Sequence, residues 1–344
     1  MFANYISGKT ETLVCALAPK RMSPSKPRPY DLGEASLPLP LKLLLVPLAP
    51  VALAWSIARF VVFVLLMCSV YIWCELLLIG QPVGVPMGGP RRAIFMLGMR
   101  VLARLLLCTL GVLPGMLSVA GVPNPAASVW ALAPHTGMLD GFLFMFIGFP
   151  RAVILEPYTK IPAVGAILRA GAALVVPTPG KKPPPAASAD APAPAAADKK
   201  PPGVRQIIAE YKRGFATGDV PIALLPEGTC TSGLQLVKFF EGSFEGGAPV
   251  QPVAIRCPFT YFNGAPFIES LPNHILRIFA NPWCFCRVTF LPMHTPSAAE
   301  KDDAKLMAEN VRKAMGAAVD LPLSEHGAKD LKAWYAEQTK AKAA

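Results

Sequence analysis

Residues 128–149, "SVWALAPHTGMLDGFLFMFIGF", carry a strand, a turn and a helix in that order. The apolar run at 128–133 is strand-like in length and composition, Pro134 and Gly137 interrupt it, and "GFLFMFIGF" continues as an apolar helix. His135 therefore falls in the turn at a strand end, and Asp140 falls in the first turn of the helix that follows. Strand ends and helix N-termini are where α/β sheets build their sites. Along a straight helix, five residues would separate the two side chains by about 140°. They can pair only if the turn bends back, and Gly137 permits that. A histidine oriented by a carboxylate is a general base suited to neutral pH.

The same alternation continues outward. Strand-like runs stand at 172–176 ("AALVV"), 221–225 ("PIALL"), 249–256 ("PVQPVAIR") and 287–291 ("RVTFL"), separated by helical stretches, which implies an α/β layer fold. The run at 224–233, "LLPEGTCTSG", repeats the design of the first stretch: an apolar strand ending in proline, then an acid, a glycine and hydroxyl residues. Such a loop can present backbone N–H groups and threonine hydroxyls to an oxyanion or phosphate, or it can be an ordinary turn capped by Thr229, Thr231 and Ser232.

Composition points to a membrane. The 344 residues are 53% hydrophobic and only 16% charged, where about 25% charged is usual for soluble domains. A formal net charge of +11 favours an anionic partner. Nucleic acid is excluded as that partner, because the basic residues interleave with apolar runs instead of clustering with exposed aromatics.

The first 36 residues form a polar tail without the order of a cleaved signal. Residues 37–80 are almost wholly apolar, and their second half is long enough to cross a bilayer as a helix. Pro47 and Pro50 in the first half favour a hairpin, in which 43–58 folds back on the spanning segment. The segment 81–115 carries Arg91, Arg92, Arg100 and Arg104 amid apolar positions, the pattern of a basic amphipathic helix on a membrane surface. Residues 116–322 are expected to form the α/β domain that carries both site loops, interrupted by a Pro/Ala-rich insert at 179–203 that is expected to be disordered. Residues 323–344 form a C-terminal tail, and Ser297 with Glu300 make a capping box just before it.

Eight scattered cysteines without a C-x-x-C pair suit a reducing compartment. Cys284 and Cys286, two apart, would alternate across a strand, and no metal site is expected. His274, His294 and His326 have no carboxylate at useful spacing and are expected to be structural or surface residues.

The blocks "PHTGMLD", "EPYTKIPAVGAILRAGAALVV", "LPEGTCTSG" and "GAPVQPVAIR", in this order, resemble those of the glycerolipid acyltransferase superfamily of glycerol-3-phosphate, lysophosphatidate and lysophospholipid acyltransferases. Pro134 and "PEGTCT" are most similar to the lysophosphatidylcholine and lysophosphatidylethanolamine acyltransferase branch.

The resemblance implies an acyltransferase-type mixed sheet flanked by helices, held at the endoplasmic reticulum membrane by the N-terminal hairpin or transmembrane helix, with the catalytic domain facing the cytosol. It implies acyl-CoA as co-substrate, a lysophospholipid acceptor and no cofactor or metal. His135 becomes the base for the acceptor hydroxyl, Asp140 its orienting acid, and Glu227, Gly228 and Thr229 the shapers of the acceptor site. The hydroxyl would attack acyl-CoA directly, without an enzyme nucleophile, and Pro252 in the last block would be structural or acyl-lining.

Pro177 stands where the family's second block commonly has a phosphate-binding arginine, and Lys160 is the leading substitute, ahead of Arg169, Lys181 and Lys182. That loss suits a headgroup-bearing lysophospholipid better than lysophosphatidate or glycerol 3-phosphate, which remain alternative acceptors. A CoA-independent transacylase would use the same residues. A non-catalytic lipid-binding protein of the same fold is the alternative outside enzymology.

Overall fold

Strand β2 (Val129–Ala133) is buried at every position, and its side chains alternate between two cores. Trp130 and Leu132 enter one cluster, while Val129, Ala131 and Ala133 enter the other. A strand buried on both faces belongs at the centre of a helix-covered sheet. β2 holds that place in a seven-stranded sheet of order β1-β7-β6-β2-β5-β3-β4. The partners are β1 (Leu117–Ala120), β3 (Arg151–Leu155), β4 (Leu174–Val176), β5 (Ile222–Leu224), β6 (Val250–Arg256) and β7 (Cys286–Phe290). All pairings are parallel except β6 with β7. The sheet is mixed and flanked by helices, as the resemblance implies. This computed structural model describes residues 47, 49–176, 204–258, 262–264 and 271–343. The tail at 1–36, the insert at 179–203, Pro177, Lys181 and Lys182 lie outside them.

The helices divide between the two faces. On one side lie α1 (Ala49–Leu78), α2 (Gly89–Thr109) and α3 (Met138–Ile147), with α4 (Pro162–Ala170) packed against α1. On the other, α5 (Val204–Gly214) and, later in the chain, α8 (Ala304–Val319) contribute Ile208, Met307, Val311 and Met315. Between these in sequence come α6 (Leu271–Ala280) and the short α7 (Ala298–Asp302), and α9 (Ala328–Ala343) closes the chain.

Three expectations change. The first concerns the hairpin within 37–80. Residues 49–58 run on without a break into the rest of α1, because Pro50 sits in the first turn, where its missing N–H is no loss. α1 is thus one helix about 45 Å long. It is long and apolar enough to cross a membrane, and only 11% of its most apolar window is buried.

The second concerns α2, which does not simply lie on a surface. Phe95, Met99, Leu106 and Leu107 pack into the core, while Ile94, Leu97, Val101 and Leu105 form a second, exposed apolar stripe. Arg104 turns back to donate to the carbonyls of Val112 and Leu113 at 2.6 and 2.8 Å, beyond the end of its own helix.

The third concerns the C-terminal tail, which is folded. The backbone of Ser324 donates to Leu236 at 2.8 Å, the Lys238 N–H donates to His326 at 2.8 Å, and Leu331 in α9 is fully buried.

Arg59 ties α1 to the domain. Its buried guanidinium donates from Nε to Thr109 O at 2.8 Å and from Nη1 to Phe279 O at 3.1 Å and Asn281 O at 2.6 Å. Those carbonyls lie at the C-terminal ends of α2 and α6, where the helix dipoles favour a cation. Arg169 of α4 adds an ion pair with Glu75 of α1. Arg59→Ala should lower the stability of the detergent-solubilised protein by about 3 kcal/mol. The check is thermal unfolding beside Arg100→Ala, whose exposed side chain should be nearly neutral.

Candidate active site

The carboxyl ends of β2 and β5 lie side by side because the two strands pair in parallel. The loops that leave them carry His135 and Glu227. The turn after β2 passes through the cis peptide Ala133–Pro134 and then Gly137, whose φ of 123° is rarely adopted by other residues. This brings Asp140, the third residue of α3, back under the imidazole. His135 Nδ1 lies 2.7 Å from Asp140 Oδ2. The same oxygen accepts the Thr136 and Gly137 N–H groups at 2.7 and 3.1 Å, and Oδ1 accepts the Thr136 hydroxyl at 3.1 Å. Asp140 is 1% exposed. A carboxylate bound this way fixes Nδ1 as the protonated nitrogen and leaves Nε2 to work.

Glu227 grips the same histidine from behind. Its carboxylate is fully buried. It accepts the His135 backbone N–H at 2.6 Å on one oxygen and the Val237 N–H at 3.1 Å on the other. The Thr231 N–H closes the clamp by donating to the His135 carbonyl at 2.7 Å. Gly233 (φ 69°) lets the loop approach so closely that a Cβ there would lie 2.7 Å from Thr136 Cγ2. Burial pushes the Glu227 pKa up to about 7, against the lowering effect of the two backbone donors.

For His135, burial alone would lower the pKa. The hydrogen bonds and charges of Asp140 and Cys230 outweigh it and push the value up to about 10. Cys230 Sγ lies 3.3 Å from Nε2.

His135, Asp140 and Glu227 thus form one cluster. Gly228 is exposed with φ 66°, its N–H donating to Leu225 O at 3.0 Å, and Thr229 is half-buried beside it. Lys160 is not part of the cluster. It stands beyond the carboxyl end of β3, on the same edge of the sheet, with its side chain 74% exposed and paired to Glu156 at 3.1 Å. Arg169 is occupied by Glu75. Pro252 lies buried within β6, its carbonyl accepting the Leu291 N–H at 2.9 Å.

Sequence reasoning missed Cys230, although it stands in the same loop as Glu227 and Thr229. Two other readings are corrected. His294 does have a carboxylate, Glu300, at 2.9 Å, and His326 lies 4.0 Å from Asp330. Cys284 and Cys286 do not face apart. Their sulfurs are 3.9 Å from each other, because Cys284 precedes the regular strand. Among the described residues no group of three or more His, Cys, Asp or Glu side chains is placed to hold a metal ion.

Fold and site together define a helix-flanked α/β protein that presents a carboxylate-oriented histidine at the carboxyl edge of its sheet. Human lysophosphatidylcholine acyltransferase 2 is 29% identical over 252 residues, covering 71% of this chain and 42% of that protein. The lysophospholipid acyltransferase LPEAT1 of Arabidopsis thaliana is 34% identical over 219 residues, covering 63% and 51%. The lysophosphatidylcholine acyltransferase of Drosophila melanogaster is 30% identical over 213 residues, covering 60% and 36%. The chain is thus similar to members of the glycerolipid acyltransferase superfamily on its lysophosphatidylcholine and lysophosphatidylethanolamine acyltransferase branch.

The chain spans about half or less of the length of these curated relatives. No protein-family model matches it. A crystal structure titled 1-acyl-sn-glycerophosphate (LPA) acyltransferase, PlsC, from Thermotoga maritima aligns with a TM-score of 0.47 at 16% identity, over 77% of this chain and 97% of that one.

Glu227→Gln leaves one carbonyl oxygen for two backbone donors and turns an NH2 group toward the other. It should lower kcat by roughly 10- to 100-fold through misplacement of the imidazole, with KM for both substrates little changed; steady-state kinetics separate the two.

A second expectation concerns pH. The His135 pKa is raised from 6.5 to about 10, so its contribution to stability is full below pH 6.5 and is lost as pH rises through about 10. His135→Gln should flatten that part of a plot of Tm against pH.

Proposed function

We propose that the protein moves a fatty acyl group from acyl-CoA to the free hydroxyl of a lysophospholipid at a membrane surface. The observation that carries this reading is the imidazole of His135, held through Nδ1 by Asp140 and through its backbone by Glu227, with Nε2 left free of both carboxylates. The relatives' printed names, lysophosphatidylcholine and lysophospholipid acyltransferases, supply the substrate class.

The chemistry follows from the cluster. An alcohol is a poor nucleophile at neutral pH, and its attack on a thioester needs a base within hydrogen-bond reach. Nε2 takes the hydroxyl proton while the oxygen attacks the acyl carbonyl. Asp140 then stabilises the imidazolium, and the thiolate leaving group takes the proton back. Glu227 acts as a positioning residue: it touches backbone N–H groups and keeps the β2 and β5 loops in register. No metal enters these steps.

α1 supports membrane attachment, since its length and apolar surface fit a bilayer core. The exposed apolar stripe of α2 lies on the same side of the sheet. The seven described cysteines are all free, which fits a reducing compartment and hence a catalytic domain on the cytosolic side of the endoplasmic reticulum membrane.

Labelled oleoyl-CoA offered to the protein with a panel of lysophospholipids, lysophosphatidate and glycerol 3-phosphate tests the reading. Wild type should form a diacyl product with a headgroup-bearing lysophospholipid in preference to lysophosphatidate, and His135→Ala should lower the rate at least about a thousandfold. Equal silence of both proteins across the panel would overturn acyl transfer, and a lower KM for lysophosphatidate would overturn the acceptor class.

A further inference from the structure

Helices α1 and α2 leave an apolar groove between them that the acyl-transfer reading does not use. Its volume is about 470 Å³, within the range of small-molecule sites. Ile72, Trp73 and Leu76 of α1 form one wall, and Ile94, Leu97 and Val101 of α2 form the other. Gly98 lets the helices meet along the floor, where the Trp73 ring fills the space that a Cβ would need. We propose that this groove binds one anionic phospholipid of the bilayer, with an acyl chain between the helices and the headgroup phosphate on the Arg91 guanidinium.

The walls select a hydrocarbon chain. Trp73 Nε1 donates to Phe95 O at 3.3 Å, and the Ser69 hydroxyl donates to Leu65 O at 3.0 Å, so the polar atoms of the groove are already paired. Both walls are helices, whose backbone groups bond internally. An extended peptide would find no partners there for its own N–H and C=O groups. An acyl chain brings none to satisfy. The groove also runs out onto the exposed face of α1, where Leu65, Ile72 and Leu76 stand on the helix long and apolar enough to cross a membrane. A groove open on that face is filled from the side by the lipid around it.

The charge at one end selects the headgroup. Arg91, Ile94, Gly98 and Val101 follow one another at helical spacing, so Arg91 heads the α2 face that lines the groove. Its exposed guanidinium donates to the neutral Gln81 side chain at 3.3 Å, in the turn that follows α1. α2 contains no acid, and the one acid of α1, Glu75, is paired with Arg169. Arg92 is half-buried beside Arg91, and the helix dipole adds to both charges instead of offsetting them. The positive charge is thus left for an anion from outside the chain. A phosphate diester suits a guanidinium in shape and charge. A zwitterionic headgroup carries its own cation to the same place, so a headgroup of net negative charge is preferred.

This lipid is not the acceptor. α2 is about 30 Å long. Leu110, beyond its other end, lines a small cavity with Thr136 and Met138 of the turn that carries His135. Arg91 and the imidazole therefore stand at opposite ends of α2.

Lipid binding to the detergent-solubilised full chain, without acyl-CoA or acceptor, tests the proposal. Micelles of neutral detergent are doped with dioleoylphosphatidylglycerol or dioleoylphosphatidylcholine. Native mass spectrometry counts the lipids retained, and thermal unfolding follows the same titration. Wild type should retain one phosphatidylglycerol with roughly tenfold higher apparent affinity than phosphatidylcholine. Its Tm should rise by about 4 °C or more at saturation. Arg91→Gln should cut the phosphatidylglycerol affinity roughly fivefold. Arg100→Gln removes the same charge from the opposite side of α2 and should stay within about twofold of wild type. Val101→Trp fills the groove without making it polar and should weaken both lipids by roughly fivefold or more. All three positions are exposed, so each variant's lipid-free Tm should remain within about 2 °C of wild type.

Any of five results would overturn the proposal. Equal retention of the two lipids would remove the headgroup preference, and equal losses from Arg91→Gln and Arg100→Gln would mark a diffuse surface charge. Unchanged binding in Val101→Trp would place the chain elsewhere. A Tm rise of the same size with inorganic phosphate would assign Arg91 to a free anion, and a dimer dissolved by Val101→Trp would give the groove to a second copy of the chain. Because no transfer is measured, a protein silent with oleoyl-CoA can still pass or fail each of these tests.

Discussion

The buried carboxylate of Glu227 is the constraint on which the site depends. It is fully removed from water, and its oxygens are taken by two backbone N–H groups, one from the strand end that carries the histidine. A carboxylate so placed is costly to charge, as its raised pKa records. That cost is offset only while both donors stay in place. The loops after β2 and β5 are therefore held to each other, and the His135 ring inherits its position from that contact as much as from Asp140. The parallel pairing of β2 with β5 makes the contact possible, since it delivers both loops to the same edge of the sheet.

The sequence was most legible where structure is local. The five strand-like runs named from composition all became strands, because apolar, β-branched segments between prolines and glycines have few other uses. β1 and β3 went unnoticed. β1 is a four-residue edge strand with an exposed end, and β3 is five residues with no fully buried position, so neither carries a strong periodic signal. His135 and Asp140 could be paired on paper because only four residues lie between them, one of them glycine. The contact from Glu227 to the His135 N–H spans 92 positions and ends on backbone, where no side-chain pattern records it. His294 and Glu300 were misjudged for a related reason: Glu300 was read only as a capping residue, whereas its carboxylate also takes His294 and Asn310.

The N-terminal helices show how a charged residue is kept inside an apolar segment. Arg59 interrupts the apolar sequence of 37–80. In the structure it is the point at which α1 is stitched to the carbonyl ends of α2 and α6. An isolated guanidinium in that setting would be expensive to bury, and the unpaired carbonyls of two helix ends receive it. Small residues allow the close packing nearby: a Cβ on Gly98 of α2 would lie 2.3 Å from the Trp73 ring of α1.

The two anchors of α1, Arg59 and the Glu75–Arg169 pair, leave the sheet little freedom to swing on a flexible tether. In a bilayer the domain would keep one fixed orientation, with its reactive edge at a set depth relative to the headgroups. On the proposed acyl-transfer reading, an acceptor lipid would then approach by lateral diffusion within one leaflet. The quantity that governs encounter becomes a surface density, so diluting the acceptor with inert lipid would slow the reaction even when the amount of acceptor in the tube is unchanged.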